Sequence, residues 1–383
     1  MRFLRNKNNI QINYLSEYQT IIYHDMDKNN YCIIMAGGTG SRFWPMSTAD
    51  HPKQFIDIFG NGESLLQSTF RRFENVCPRE NIIIVTSSAY RGLAEQQIGG
   101  LLPYQVIYEP MRRNTAPCVA YAAAIIKQLN PQANIIVSPS DHAIFDNEQF
   151  TKTIEESVRA AQNHDWIITL GIKPFNPNTK YGYIQYNESS VEGNDKLHEV
   201  ITYTEKPPYD MAVQFLNSGD FLWNAGIFIW SLPTLEKAYR RYLPDVAVFF
   251  DKISLDTTPD EIEKLYSTCQ PISADYGIME KTDNVHVMEA DFRWSDVETW
   301  QSLYESMDKD IRGNVKVGTN VFTYDVSNCI INLPNSKTVV LQGLDDYIIA
   351  GDESTILICK RSEEHRIFKF ESDIEVHKNK KGK

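Results

Sequence analysis

No two of the six cysteines, Cys32, Cys77, Cys118, Cys269, Cys329 and Cys359, stand close enough to form a CxxC pair. That excludes the common zinc and dithiol motifs. Several lie in apolar runs, as buried thiols do, and a reducing cytoplasm is the expected compartment. No apolar run reaches the length of a membrane span, so no membrane partner is expected. The first 13 residues carry charge, but no apolar h-region follows, so they do not read as a secretory signal. Positive charge is also short: Lys and Arg total 38 against 50 Asp and Glu, a net charge of -12. A backbone-binding nucleic-acid surface wants the opposite balance, so nucleic acid is excluded as a bulk partner. A small anion held in a local basic pocket is still allowed. The metal ion that usually accompanies a polyphosphate would itself favour nearby carboxylates.

With 383 residues, 42% of them hydrophobic and 23% charged, the chain has material for one large domain or two. It is organised around Met35-Ala36-Gly37-Gly38-Thr39-Gly40-Ser41-Arg42-Phe43-Trp44-Pro45, followed by Pro52-Lys53-Gln54-Phe55. The apolar run Tyr31–Met35 reads as a buried strand entering a glycine-rich loop. Such a loop presents backbone N–H groups to an anion. Arg42 adds a planar charged fork suited to phosphate oxygens, and Lys53 a second cation. Two familiar phosphate motifs are missing. Phe43 stands where the dinucleotide pattern needs a third glycine, and the P-loop's Gly-Lys-Ser/Thr is absent. The alternatives are a tight turn and a polyphosphate site.

Residues 1–25 are polar and rich in tyrosine and asparagine. They read as an N-terminal extension outside the native domain, with Met26 as the natural start; the alternative is an added strand or helix packed on it. From 26 to 311, strands at Ile82–Thr86, Gln105–Tyr108, Ile135–Val137 and Trp166–Leu170 are predicted to alternate with helices at Ser64–Phe73 and Tyr90–Gln97, an Ala-rich helix running to about Leu129, and a helix at Phe150–Gln162. The loop Glu109–Pro117 ends in an N-cap candidate and a first-turn proline, Pro117, which open the Ala-rich helix. This alternation implies an α/β fold with parallel strands, whose ligands lie beyond the strands' carboxyl ends. Asp141 sits at one such end as a turn cap or a magnesium ligand. Asp296, far away in sequence, is a second ligand candidate or a helix N-cap. The region around Tyr181–Tyr186 and Thr202–Pro207 reads as a β-rich lobe over the sheet. There Glu205 and Lys206 are either a sugar-phosphate site or an exposed ion pair. Asn224, inside the apolar run Phe221–Trp230, needs hydrogen-bond partners from backbone or ligand, and Gly226 would let that ligand approach. Residues 312–383 carry short β runs at regular spacing, then a basic tail, Lys378–Lys383, expected to be disordered.

Taken in order, the glycine loop, Pro52-Lys53-Gln54-Phe55, Glu109-Pro110 through Arg113-Asn114-Thr115-Ala116-Pro117, Pro139-Ser140-Asp141-His142, Glu205-Lys206-Pro207, Trp223-Asn224-Ala225-Gly226, Asp275-Tyr276 and Trp294-Ser295-Asp296 closely resemble the mannose-1-phosphate guanylyltransferases. The resemblance runs from about Tyr31 into the C-terminal β segment. It implies a Rossmann-like nucleotidyltransferase domain with a mixed sheet, followed by a small left-handed β-helix-like domain. It also implies magnesium-assisted transfer of GMP from GTP to mannose 1-phosphate, releasing pyrophosphate, in a cytoplasmic homo-oligomer such as a dimer. By the same carry-over, Gly37, Gly38, Thr39 and Gly40 cradle the triphosphate with Arg42 and Lys53. Arg113 and Asn114 border the nucleotide. Asp141 and Asp296 hold the metal. Glu205 and Lys206 engage the sugar phosphate, and Asn224 and Gly226 line the sugar pocket. The sequence departs from the family pattern at Glu298, where Gly often follows Trp-Ser-Asp-Val. The fused phosphomannose isomerase domain of some members is not expected here. The open alternatives are a regulatory subunit that binds sugar nucleotides without catalysis, and an enzyme for another hexose 1-phosphate.

Overall fold

The computed structural model describes residues 26–191 and 193–381; the reading of 1–25 lies outside them. Strands β1 (Asn30–Met35), β2 (Ile82–Ser87), β3 (Val106–Glu109) and β4 (Asn134–Pro139) run parallel, in the spatial order β3-β2-β1-β4. β1, β2 and β4 are buried along nearly their whole length, as parallel strands covered on both faces must be. Tyr31 and Ile33 pack on one face with the helix Thr115–Leu129. Cys32 and Ile34 pack on the other with the helices Leu65–Phe73 and Asn147–Asn163. These helices begin with side-chain caps. Ser64 and Gln67 form a reciprocal capping box. Asn114 accepts the Thr115 amide at 2.9 Å.

After β4 come β5 (Ala143–Ile144), β6 (Ile167–Ile172), β7 (Tyr183–Val191), β8 (Asn194–Thr204), β9 (Phe221–Ser231), β10 (Val285–Ala290) and β11 (Trp294–Ser295). The main sheet has nine strands in the order β3-β2-β1-β4-β9-β6-β10-β8-β7. It is mixed: β9 lies antiparallel between β4 and β6, while β6 and β10 are parallel. The expected lobe around residues 181–207 is instead sheet. β7 and β8 form a long hairpin, and β7 also pairs with β9. Backbone groups of so long a hairpin are satisfied by joining the ladder already present.

The C-terminal strands are β12 (Val315–Val317), β13 (Val321–Tyr324), β14 (Ile330–Asn332), β15 (Val339–Gln342), β16 (Tyr347–Gly351) and β17 (Ile356–Lys360). β12, β14 and β16 stack in parallel, as do β13 and β15, and β17 closes against β16 antiparallel. The basic tail reads differently from expectation. A helix runs Ile367–Lys381, through the described part of the segment expected to be disordered.

Two features of this fold position the site. β1 and β4 are neighbours in register, Met35 opposite Pro139, so the glycine loop and the Asp141 loop leave the sheet side by side. β5 and β11 then pair antiparallel, with Ser295 opposite Ala143. One residue further along that register, Asp296 faces His142, next to Asp141.

Candidate active site

Gly40 has φ +51°, and a Cβ there would lie 2.6 Å from the Lys53 amide nitrogen. Only glycine fits both demands. The loop is also braced from within, because the Gln54 side-chain amide donates to the carbonyls of Ala36 and Gly38, each at 2.9 Å.

Lys53 is buried, and its ammonium stands 3.0 Å from Asp141 Oδ2. It also donates to the carbonyls of Asp296 (3.2 Å) and Val297 (2.8 Å). Thr39, Gly40, Arg42, Lys53, Asp141, His142, Asp296 and Glu298 line one cavity of about 350 Å³. Arg42 is ion-paired there with Glu298.

The two carboxylates differ. Burial alone would raise Asp141, but the Lys53 ammonium and the neighbouring His142 outweigh it and hold the group below its usual range. Asp296 is pushed up to about 6 by burial, with Glu298 adding to the rise; Lys53 and the Tyr181 hydroxyl, 3.1 Å from Oδ1, oppose it. An acidic group in that condition is relieved by a further cation.

A second cavity, of about 200 Å³, shares His142 and Asp296 with the first. Thr115, Lys180, Tyr181, Glu205, Lys206, Asn224, Gly226 and Asp275 are among its lining residues. Asn224 Oδ1 accepts from the Thr169 hydroxyl (3.1 Å) and the Gly226 amide (3.0 Å). Its Nδ2 donates to the Tyr203 hydroxyl and to Asp275 Oδ1. Gly226 adopts φ +67°, which lets its amide fold back onto that side chain. Protein groups therefore satisfy this amide, which fixes the cavity's floor. Glu205 is largely covered and raised by burial and by Asp275, with Lys206 Nζ 3.2 Å away. Lys206 itself is exposed and carries φ +48°.

His142 Nδ1 accepts the Trp294 indole N–H at 3.2 Å, and burial lowers the ring to about 4. Its orientation is thereby set by Trp294.

The nucleotidyl transferase family model matches residues 31–313. The chain belongs to the nucleotidyl transferase family. It is 35% identical over 341 residues to a mannose-1-phosphate guanylyltransferase of Salmonella montevideo, covering 85% of this chain and 70% of that one. It is 31% identical to an Escherichia coli protein of the same name, covering 86% and 72%. A crystal structure described as a mannose-1-phosphate geranyltransferase from Thermus thermophilus superposes with a TM-score of 0.81 at 28% identity, covering 91% and 99%.

In this nucleotidyl transferase, most of the residues singled out in the sequence meet at the two cavities. Four do not line either one. Gly37 and Gly38 lie behind the loop, where Gly38 offers its carbonyl to Gln54. Arg113 donates to the Tyr266 carbonyl at 2.9 Å, and Asn114 is a helix cap. Asp296 is not the helix cap considered as its alternative; Thr299 caps Trp300–Ser306. Tyr181 and Asp275 line the second cavity, and Gln54 and Tyr203 brace the glycine loop and Asn224, although the sequence reading names none of the four as site residues. Gln54 and Asp275 sit in quoted motifs, but their roles depend on partners far away in sequence.

Proposed function

We propose that the chain transfers GMP from GTP to mannose 1-phosphate, giving GDP-mannose and pyrophosphate. The observation that carries this reading is the meeting of Arg42, Lys53, Asp141 and Asp296 in one cavity that shares His142 and Asp296 with a second cavity lined by Glu205, Lys206 and Asp275. The first suits a triphosphate and the second a hexose phosphate, and the named relatives support guanine and mannose.

Asp141 and Asp296 fit a magnesium ion. They supply only oxygen, and magnesium takes one or two carboxylates and completes its shell with water and substrate phosphates. Among the described residues no group of three or more His, Cys, Asp or Glu side chains would hold an ion alone. When bound, the ion supplies charge neutralisation between the reacting phosphates.

The chain's own residues do the rest. The glycine loop and Arg42 seat the β- and γ-phosphates, and Lys53 holds the loop against both acidic segments. Lys206 offsets the charge of the incoming sugar phosphate. The attacking oxygen is already anionic, so no general base is needed, and catalysis is in-line positioning plus neutralisation of two repelling anions. The finer fold reading, a left-handed β-helix at residues 312–383, is supported by the parallel stacking of β12, β14 and β16. The apolar row Phe322, Tyr324 and Val340, exposed on that segment, supports a homodimer contact. Six unpaired thiols suit a cytoplasmic setting.

The test is pyrophosphate release with each nucleoside triphosphate crossed against several sugar 1-phosphates, with and without magnesium. GTP with mannose 1-phosphate and magnesium is expected to give the highest rate. A clear preference for another pair overturns the substrate assignment.

A further inference from the structure

Glu298 lines the 350 Å³ cavity, and the structure gives its carboxylate a partner. It is ion-paired with the Arg42 guanidinium in the wall of the 350 Å³ cavity. Its backbone amide donates to Asp296 Oδ1 at 3.2 Å, which ties the segment carrying it to the acidic pair. The ionised side chains lining this cavity are Arg42 and Lys53 against Asp141, Asp296 and Glu298. Lys53 is already engaged by Asp141 and two carbonyls. Arg42 is therefore the cation left to meet a phosphate, and Glu298 occupies it.

We propose that Glu298 gates the site, holding Arg42 in an ion pair until a triphosphate arriving with its divalent cation takes the arginine over. Nucleotide binding is thereby made conditional on the cation. The inference rests on reading this cavity as the triphosphate site. A bare triphosphate meets a wall with more acidic than basic groups and an arginine that is already neutralised. A triphosphate bearing a divalent cation carries less charge and brings the acidic groups a partner. The Arg42–Glu298 pair is partly open to solvent, with side-chain exposures of 57% and 32%. Pairs of that kind are weak enough to exchange one partner for another.

The experiment is GTP binding by titration calorimetry on the full chain, in magnesium and in EDTA. The variants are Glu298→Gln, Glu298→Ala, Arg42→Gln and the double variant Arg42→Gln with Glu298→Gln, each checked for folding by thermal melt. Either substitution at 298 is expected to strengthen binding in EDTA by roughly two- to fivefold, the size of one partly exposed charge contact, and to change binding in magnesium less. Arg42→Gln is expected to weaken binding in both conditions, and in the double variant the gain from removing Glu298 shrinks. Unchanged magnesium dependence in both 298 variants, with Arg42→Gln still weakening binding, overturns the gate and leaves the triphosphate site standing. A full-sized gain in the double variant overturns the route through Arg42. GTP binding that responds to none of these changes overturns the reading of the cavity itself.

Discussion

Lys53 and Asp141 form a 3.0 Å ion pair between the turn Lys53–Phe55 and the loop that follows β4, and the same ammonium holds the carbonyls of Asp296 and Val297. One buried cation thus joins two acidic segments that lie 155 residues apart in the numbering, 141 to 296. The pairing of β5 with β11 makes this possible, because its register sets Asp296 beside the Asp141 loop.

Lys53→Ala is therefore expected to lower turnover on the order of a hundredfold or more. The loss is read as pyrophosphate release, with circular dichroism confirming a folded chain. Near-normal turnover in a folded variant would remove Lys53 from the chemistry.

Asn224→Ala leaves Asp275, the Tyr203 hydroxyl and the Thr169 hydroxyl without a shared partner. Stability is expected to fall by about 1–3 kcal/mol. In steady-state kinetics KM for the sugar phosphate should rise while KM for the triphosphate holds. Equal shifts in both constants would mean that Asn224 supports the whole cleft rather than the second cavity.

Glu109 gives the stability a pH dependence of known sign. Burial raises its carboxyl to about 7, against hydrogen bonds from Tyr266 and Cys118 and the charge of Arg112. The native state holds a proton that the unfolded chain gives up near its ordinary value. The associated stability is complete at low pH and is lost as pH rises through about 7, on the order of 3 kcal/mol in all. Urea midpoints from about pH 5 to about pH 8 should show this slope in the wild type and not in Glu109→Gln, which fixes the neutral form. An equal slope in both would assign the effect to another group.

Ile330→Ala tests whether the C-terminal strands support the site. Ile330 is fully buried in one cluster with Phe43, Trp44, Val297 and Trp300. The substitution is expected to cost about 2–5 kcal/mol, measured by denaturant unfolding. Turnover should fall as well, because Phe43 and Val297 flank Arg42 and Asp296 in the chain. Unchanged turnover at a temperature where the variant is folded would separate the two regions.

Where local signals act, the sequence was legible. The Ala-rich helix is announced by an N-cap candidate and the first-turn Pro117, and the strands from β1 to β4 are apolar runs between turn residues. The glycine loop and Asp141 were legible because each follows an apolar strand, while Lys53 and Asp296 joined them through the ordered motifs that resemble the guanylyltransferases. Strand direction was not. The run Phe221–Trp230 has the same apolar character whether it enters the sheet parallel or antiparallel, and the hairpin of β7 and β8 looks alike as lobe or as sheet. Asn224 was recognised as needing partners, but Tyr203, Asp275 and Thr169 come from three other segments that no local pattern connects. The helix Ile367–Lys381 was hidden by its polar, basic end.

Phe43 meets Trp300 edge-on, with ring centroids 5.0 Å apart, and the same cluster takes in Val315, Ile330 and Ile348. Asn332 adds a side-chain bond to the Ile58 carbonyl at 2.8 Å. The stacked C-terminal strands thus act as a buttress whose inner surface also packs against the segment that follows the glycine loop. On the proposed function, a substitution that loosens the buttress is expected to alter how tightly the loop grips an anion, tying thermal tolerance and turnover to the same few side chains.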